Sequence, residues 1–302
     1  MKKFFIFASA AIVALASCAK SEVVYNDGPQ EIAFKQITGV MTKATTSLTT
    51  DMGVFAYTEG GEKYFGPVQF TENGDGVWSG NPAQYYPLQT KLDFACYSPC
   101  DGYNNWSYAN DDQTLTSPVF ADVKNVDVLY GDKIYADCGT TETAVPVLFK
   151  HALAKVTVKV SSNVPSAITV NSVTLTGICT GGKVTVDYAD DAWSYTEWTD
   201  KVDAADYTWN KPEAFVLKDY ENANVFGSAI NFVPGDSNQA VNQTSFVVSY
   251  TMNNVTMSAS VDLSGIWEMG KHYTYTLKAN LNEITFDPKV EVMEVVTPAP
   301  AL

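Results

Sequence analysis

The sequence predicts an all-β protein made of two tandem β-sandwich domains. Three observations carry that prediction. Short runs with an apolar residue at every second position recur along the chain, the pattern of strands with one face on a core and one in water. Gly, Asn and Pro punctuate these runs, and almost no stretch has the spacing of an amphipathic helix. The pattern halts at the polar run Cys138-Gly139-Thr140-Thr141-Glu142-Thr143 and restarts beyond Val145 to Lys155, leaving halves of similar length.

The elements follow in order. Lys2 and Lys3 precede an apolar run, Phe4 to Leu15, that is too short to span a bilayer, and then comes Leu15-Ala16-Ser17-Cys18. This start resembles a bacterial lipoprotein signal with its lipobox. The resemblance implies cleavage before Cys18, acylation of its thiol and new amine, and attachment to a membrane through the lipid. Residues 1–17 are then the signal peptide, and residues 18–30, small, polar and containing Gly28-Pro29, the tether.

Glu31 to Lys35 offers the first strand of a domain spanning residues 31–148, and Thr42 to Thr46 interrupts it. Gly53 to Tyr57, Leu92 to Tyr97 and Val126 to Tyr130 are further strands, closed by Gly60-Gly61, Pro99 and Gly131. A second domain, residues 149–302, repeats the pattern more plainly. Val156-Thr157-Val158-Lys159-Val160 alternates strictly, Ile168 to Leu175 does the same, and Gly181-Gly182 leads into Val184-Thr185-Val186. Phe246 to Met252 and Val255 to Val261 flank Asn253-Asn254, residues that tolerate the positive φ of a two-residue hairpin turn. Lys271 to Lys278, Ile284 to Phe286 and Val290 to Val292 close the chain, and the polar stretches 100–117 and 187–212 read as long loops.

Composition narrows the function. The chain is 46% hydrophobic and 13% aromatic, enough to build real cores. Its net charge of −15 repels phosphate backbones, so nucleic acid is excluded as a partner. All 19 basic residues are lysine, and the lack of arginine argues against nucleotide chemistry. Cys96, Cys100, Cys138 and Cys179 are compatible with disulfides outside the inner membrane or with buried thiols.

No nucleophile elbow, metalloprotease, phosphate-loop or dinucleotide motif appears. We therefore expect no enzyme, no catalytic residue, no metal site and no cofactor. His151, among apolar neighbours, reads as a packed structural histidine. The acidic groups Asp111-Asp112 and Asp187 to Asp191 read as solvated loops. The aromatics of the two long loops are the ambiguous feature. Trp106 and Tyr108 share one with Asn104 and Asn105, and Trp193 and Trp198 share the other. Such rings are candidates to contact a glycan or a protein, or they pack back onto their own domain.

A wider resemblance rests on motifs in a shared order. The lipobox, Phe34 followed by Thr42-Lys43-Ala44, Gly53 to Tyr57, Tyr85-Tyr86-Pro87, Asp127 to Tyr130, Phe149 to Lys155, Trp267 through Lys271 to Tyr275, and Ile284-Thr285-Phe286 resemble the fimbrillin-like lipoproteins of Bacteroidales. That resemblance implies two transthyretin-like sandwiches and a shaft, tip or anchor subunit of an outer-membrane fimbria, with other fimbrial subunits as partners. It implies removal of a first strand, here Ile32-Ala33-Phe34, and its replacement by a neighbour's strand. The family's arginine at the cut is missing, which leaves Lys43 as the processing candidate. Val290, Val292 and Val295 are the donor-strand candidates, and Pro298 and Pro300 stop any ladder beyond them. A lipid-anchored glycan-binding protein outside any fimbria is the alternative.

Overall fold

The computed structural model describes residues 29–36, 51–88, 90–100, 102, 105–137, 139, 144–163, 168–189, 195–202, 205–210, 217, 223–235, 244–263, 267–279 and 284–292. Among them the fold is all-β, as expected, and contains no helix. The first half supplies β1 (Ala33–Gln36), β2 (Asp51–Thr58), β3 (Lys63–Glu72), β4 (Val77–Asn81), β5 (Leu92–Ser98), β6 (Ser107–Ala109), β7 (Thr114–Thr116), β8 (Leu129–Gly131), β9 (Tyr135–Asp137), β10 (Val145–Val147) and β11 (Phe149–His151). The second supplies β12 (Ala154–Ser162), β13 (Ile168–Ile178), β14 (Lys183–Asp187), β15 (Tyr195–Thr199), β16 (Ala205–Asn210), β17 (Asn224–Val225), β18 (Ile230–Phe232), β19 (Ser245–Met252), β20 (Val255–Asp262), β21 (Lys271–Ala279) and β22 (Ile284–Val292).

The largest sheet has nine strands, in the order β10-β1-β4-β3-β2-β5-β8-β11, with β9 also on β5. It curls over itself. Phe34 of β1 meets Phe94 of β5 edge-on at 5.2 Å although three strands separate them in the sheet. Inside the curl, Phe34, Phe70, Trp78, Val54, Phe94 and Phe149 form one core. β2 is buried along nearly its whole length because its other face is covered too. Met52, Val54 and Ala56 point into the curl, while Phe55 and Tyr57 point into a second core. Gly53 is required here, since a Cβ would lie 2.1 Å from the Tyr97 ring resting on it.

The layer over that second face corrects the sequence reading. It is a four-stranded sheet, β15-β14-β7-β6, with strands from both halves. Thr185, Val186 and Asp187 pair with Thr116, Leu115 and Thr114. The stretches 100–117 and 187–212, expected as loops, contain β6, β7, β15 and β16. Asp111 and Asp112 sit exposed on the β6–β7 turn. Phe149 to His151, expected to open the second domain, pairs with β8 in the first sheet. A division at 148/149 therefore does not follow the strand pairing. At the crossing, Gly182 bridges Phe120, and a Cβ on Gly181 would lie 2.3 Å from the Phe120 carbonyl oxygen, so only glycine lets these segments meet.

The rest of the second half is a sandwich of its own. A five-stranded sheet (β17-β12-β21-β22, with β18 on β12) faces a four-stranded one (β16-β13-β19-β20). The alternation of β12 is realised as expected: Val156, Val158 and Val160 are buried, while Thr157 and Lys159 lie toward solvent. β12 runs parallel to β21, opposite Tyr273, Tyr275 and Leu277. Phe232, Trp267, Phe246 and Leu175 fill the space between the sheets. The predicted hairpin is also present, with Asn253 and Asn254 at φ 52° and 62°.

The second core is rich in phenols, and this sets an expected alkaline limit. Burial, with the nearby Asp93 and Tyr57, pushes Tyr108 from 10.0 up to about 12. Burial also pushes Tyr97 and Tyr188 well above the ordinary value. The folded state thus favours the neutral phenol. In the unfolded chain these groups ionise near pH 10, so stability is full below pH 10 and falls as pH rises through the folded value. Each such tyrosine contributes a loss of about 1.4 kcal/mol per pH unit across that window. Denaturant midpoints between pH 8 and 12, read with tyrosinate absorbance, test this. Ordinary phenol titration near pH 10 with the fold intact would refute it.

Candidate assembly site

β1 is short, yet it is held on both sides. Phe34, Lys35 and Gln36 run parallel to Val145, Pro146 and Val147 of β10, while Ala33, Phe34 and Lys35 run antiparallel to Ser79, Trp78 and Val77 of β4. Before the strand, the Ile32 amide donates to the Gln84 carbonyl at 2.8 Å, and the Tyr86 amide donates to the Gln30 carbonyl at 2.9 Å. The sequence explains the orientation. Ile32 and Phe34 occupy alternate positions and are fully buried, whereas Lys35 is exposed. Phe34 packs edge-on against Phe70 at 4.9 Å as well as Phe94.

This arrangement has a chemical and mechanical consequence. β1 fills a slot between two strands and supplies two core side chains, but it lies at the start of the described chain. Cutting after it would break no other described strand's connection. The vacated slot would offer two rows of main-chain donors and acceptors and two apolar pockets at alternate positions, which fits an extended strand. Lys43, the processing candidate, and Cys18 lie outside the described residues.

At the other end, the donor-strand candidates are partly engaged at home. β22 pairs antiparallel with β21 over its full length, placing Val290 opposite Tyr273 and Val292 opposite Lys271. The two short closing strands expected from sequence are one continuous strand. Val295 lies outside the described residues. A donor segment must therefore begin beyond Val292, or β22 must leave β21.

The aromatic ligand candidates need correction. Trp106, Tyr108 and Trp198 are 3%, 9% and 6% exposed, too buried to form a solvent platform. Trp106 stacks on Tyr97 at 4.5 Å, and the Tyr57 hydroxyl donates to the Tyr108 carbonyl at 3.0 Å. The Trp198 indole N–H donates to the Ala152 carbonyl at 2.7 Å. Tyr108 and Trp198 sit on strands that close the second core, and Trp106 immediately precedes β6, so all three turn inward. Trp193 lies outside the described residues. Among the described residues the exposed large aromatics are instead Tyr64 and Tyr85, neither of them a ligand candidate from sequence, with the Tyr64 hydroxyl donating to the Tyr85 carbonyl at 2.9 Å.

The histidines read as structural groups. His151 is 7% exposed, with Nδ1 2.8 Å from the Asp127 carboxylate. His272 Nε2 lies 2.8 Å from the Thr157 hydroxyl. Cys96 is fully buried, and burial pushes its thiol far above the ordinary range. Among the described residues, no group of three His, Cys, Asp or Glu side chains is arranged to hold a metal ion.

Comparisons with known proteins agree with this architecture. The profile of the fimbrillin-like family matches residues 38–292. A crystal structure of a fimbrial protein from Bacteroides vulgatus is 18% identical, covers 87% of this chain and 99% of its own, and superposes with a TM-score of 0.57. That of a candidate cell adhesion protein from Bacteroides uniformis is 16% identical, covers 87% and 98%, and gives 0.59. A third, a candidate cell adhesion protein from Bacteroides ovatus, is 14% identical, covers 90% and 99%, and gives 0.53. At these identities the likeness shows the fold. No match is found among curated proteins. With the family profile spanning most of the chain and these folds superposing along nearly their whole length, the chain belongs to the fimbrillin-like family.

Proposed function

We propose that this protein is a structural subunit of a cell-surface fimbria that joins its neighbours by strand exchange at the β1 slot and so supports adhesion. The family and its fimbrial structural relative support the subunit role. The observation that carries the mechanism is β1 itself: Phe34 is fully buried on a strand held between β10 and β4, Ile32 just before the strand is fully buried as well, and no other described strand depends on β1 for its connection. An incoming strand with apolar residues at alternate positions would restore both the ladder and the core. In this reading, the chain is exported as a lipoprotein, Cys18 carries the lipid into the outer membrane, and cleavage at Lys43 frees β1. The partners are other fimbrial subunits, with a host protein or glycan as the surface target. The glycan-binding alternative loses the buried rings on which it rested.

Material recovered from cell surfaces tests this directly. Unheated samples should run as a ladder in denaturing gels, with the subunit's first residue at Ala44 after cleavage. Heating should collapse the ladder to one band. A monomer alone, beginning at Cys18 and never laddering, would overturn the exchange mechanism.

A further inference from the structure

One side of the second-half sandwich ends in two edge strands, β20 and β22, which lie close to each other. Sheet edges invite foreign strands, and proteins blunt them with charges, proline, bulges or short length. The other edges among the described residues use such devices. β22 carries Asp287-Pro288-Lys289 in its middle, β10 carries Pro146, β11 carries Lys150, β15 carries Glu197, β16 carries Asp206, and β6, β9, β17 and β18 are very short. β20 is different. Its eight residues, Val255 to Asp262, contain no proline and no lysine, and its only charge is the last residue. Its register against β19 is unbroken.

The turn fixes which groups face outward. Asn253 and Asn254 both have positive φ, so Met252 and Val255 close a two-residue hairpin as a hydrogen-bonded pair. Val255, Met257, Ala259 and Val261 thus direct their main-chain groups to β19, and Thr256, Ser258 and Ser260 direct theirs away from the sheet. The side chains of those three are exposed. Met257, Ala259 and Val261 are half-buried, and Val255 is 58% exposed.

We propose that β20 pairs antiparallel with β20 of a second copy of this chain, about a two-fold axis at Ser258. The strand is its own complement in that register. Ser258 faces Ser258 of the second copy, and Thr256 faces Ser260, both hydrogen-bonded positions, giving about six main-chain bonds. Met257 faces Ala259, and Val255 faces Val261, so the exposed valine acquires an apolar neighbour. No charge falls within the paired span, because Asp262 lies just beyond it. Two sheets thereby become one continuous sheet. The contact is small, so the dimer is reversible. Each copy carries a net charge of −15, and salt screens their repulsion, so association strengthens with ionic strength. A basic partner strand would show the opposite trend. The dimer is separate from exchange at β1 and goes beyond that reading.

Sedimentation equilibrium of the purified protein, from low to high salt, tests the proposal. The expected result is a monomer–dimer equilibrium that tightens with salt. Two double variants alter only exposed positions: Thr256→Lys with Ser260→Lys, and Thr256→Glu with Ser260→Glu. Each alone should dimerise at least tenfold more weakly, since like charges then face each other, and a one-to-one mixture should regain the dimer. Ser258→Asp, which opposes itself on the axis, should weaken the dimer in the same way. Unchanged circular dichroism shows that the variants fold. Polymers that resist denaturant, if exchange at β1 occurs, should persist in all of them. A wild-type protein that stays monomeric at every salt and concentration, or a dimer indifferent to these charges, would overturn the proposal.

Discussion

Phe34→Ala is expected to destabilise the protein by about 3–5 kcal/mol, the range for removing a buried aromatic ring. Ile32→Ala should cost about 2–5 kcal/mol. The reason is local geometry. The Phe34 ring is fully buried inside the curl of the sheet and meets Phe70 and Phe94 edge-on. Strands on both sides leave little room for collapse into the void. A domain's whole stability is about 5–15 kcal/mol, so the loss leaves the first sheet marginal. Lys35→Ala, one residue away on the exposed face, should change stability by about 0.5 kcal/mol or less. Denaturant titration of the three variants checks the contrast. If Phe34→Ala and Lys35→Ala prove equally mild, β1 does not hold the core, and the slot would have nothing to gain from a replacement strand.

How much of this was legible depended on where each strand buries its side chains. β12, β13, β19 and β20 each have one wet face, so the two-residue alternation survives in sequence. β2 and β5 were legible for another reason: buried on both faces, they read as near-continuous apolar runs. β3 was missed because Gly66-Pro67 interrupts it and most of its residues are exposed or half-exposed. β6 and β7 have three residues each, mostly polar, and are strands only because distant segments pair with them. The same long-range pairing crosses the expected 148/149 division. Nothing in Val184-Thr185-Val186 says that its neighbour will be Leu115 rather than a strand of its own half. For the candidate site, Ile32 and Phe34 announced a short strand, but its place between β10 and β4 is a tertiary fact. Trp106 and Trp198 were ambiguous because polar neighbours in sequence do not report which way a ring turns once its segment joins a sheet.

Deleting residues 284–302 should lower the thermal midpoint by about 10 °C or more, or abolish folding of the second-half sandwich, while deleting only residues 293–302 should leave the midpoint nearly unchanged. The first truncation removes β22 and converts β21 into an edge along its whole length. A net value of about 0.5–1.5 kcal/mol per hydrogen bond makes the lost ladder worth several kcal/mol. At about 2–4 °C per kcal/mol for a chain of this size class, the shift is large. The second truncation leaves every register pair of β22 in place, including Val290 opposite Tyr273. Polymerisation then locates the donor. If the donor segment begins beyond Val292, the shorter deletion should yield stable, secreted monomers that no longer ladder. If β22 itself is donated, the shorter deletion should still polymerise, because Val290 and Val292 remain. A chain lacking residues 284–302 that keeps the wild-type midpoint would contradict the home pairing of β22, and would return Val290 and Val292 to the role of a strand held ready for a neighbour.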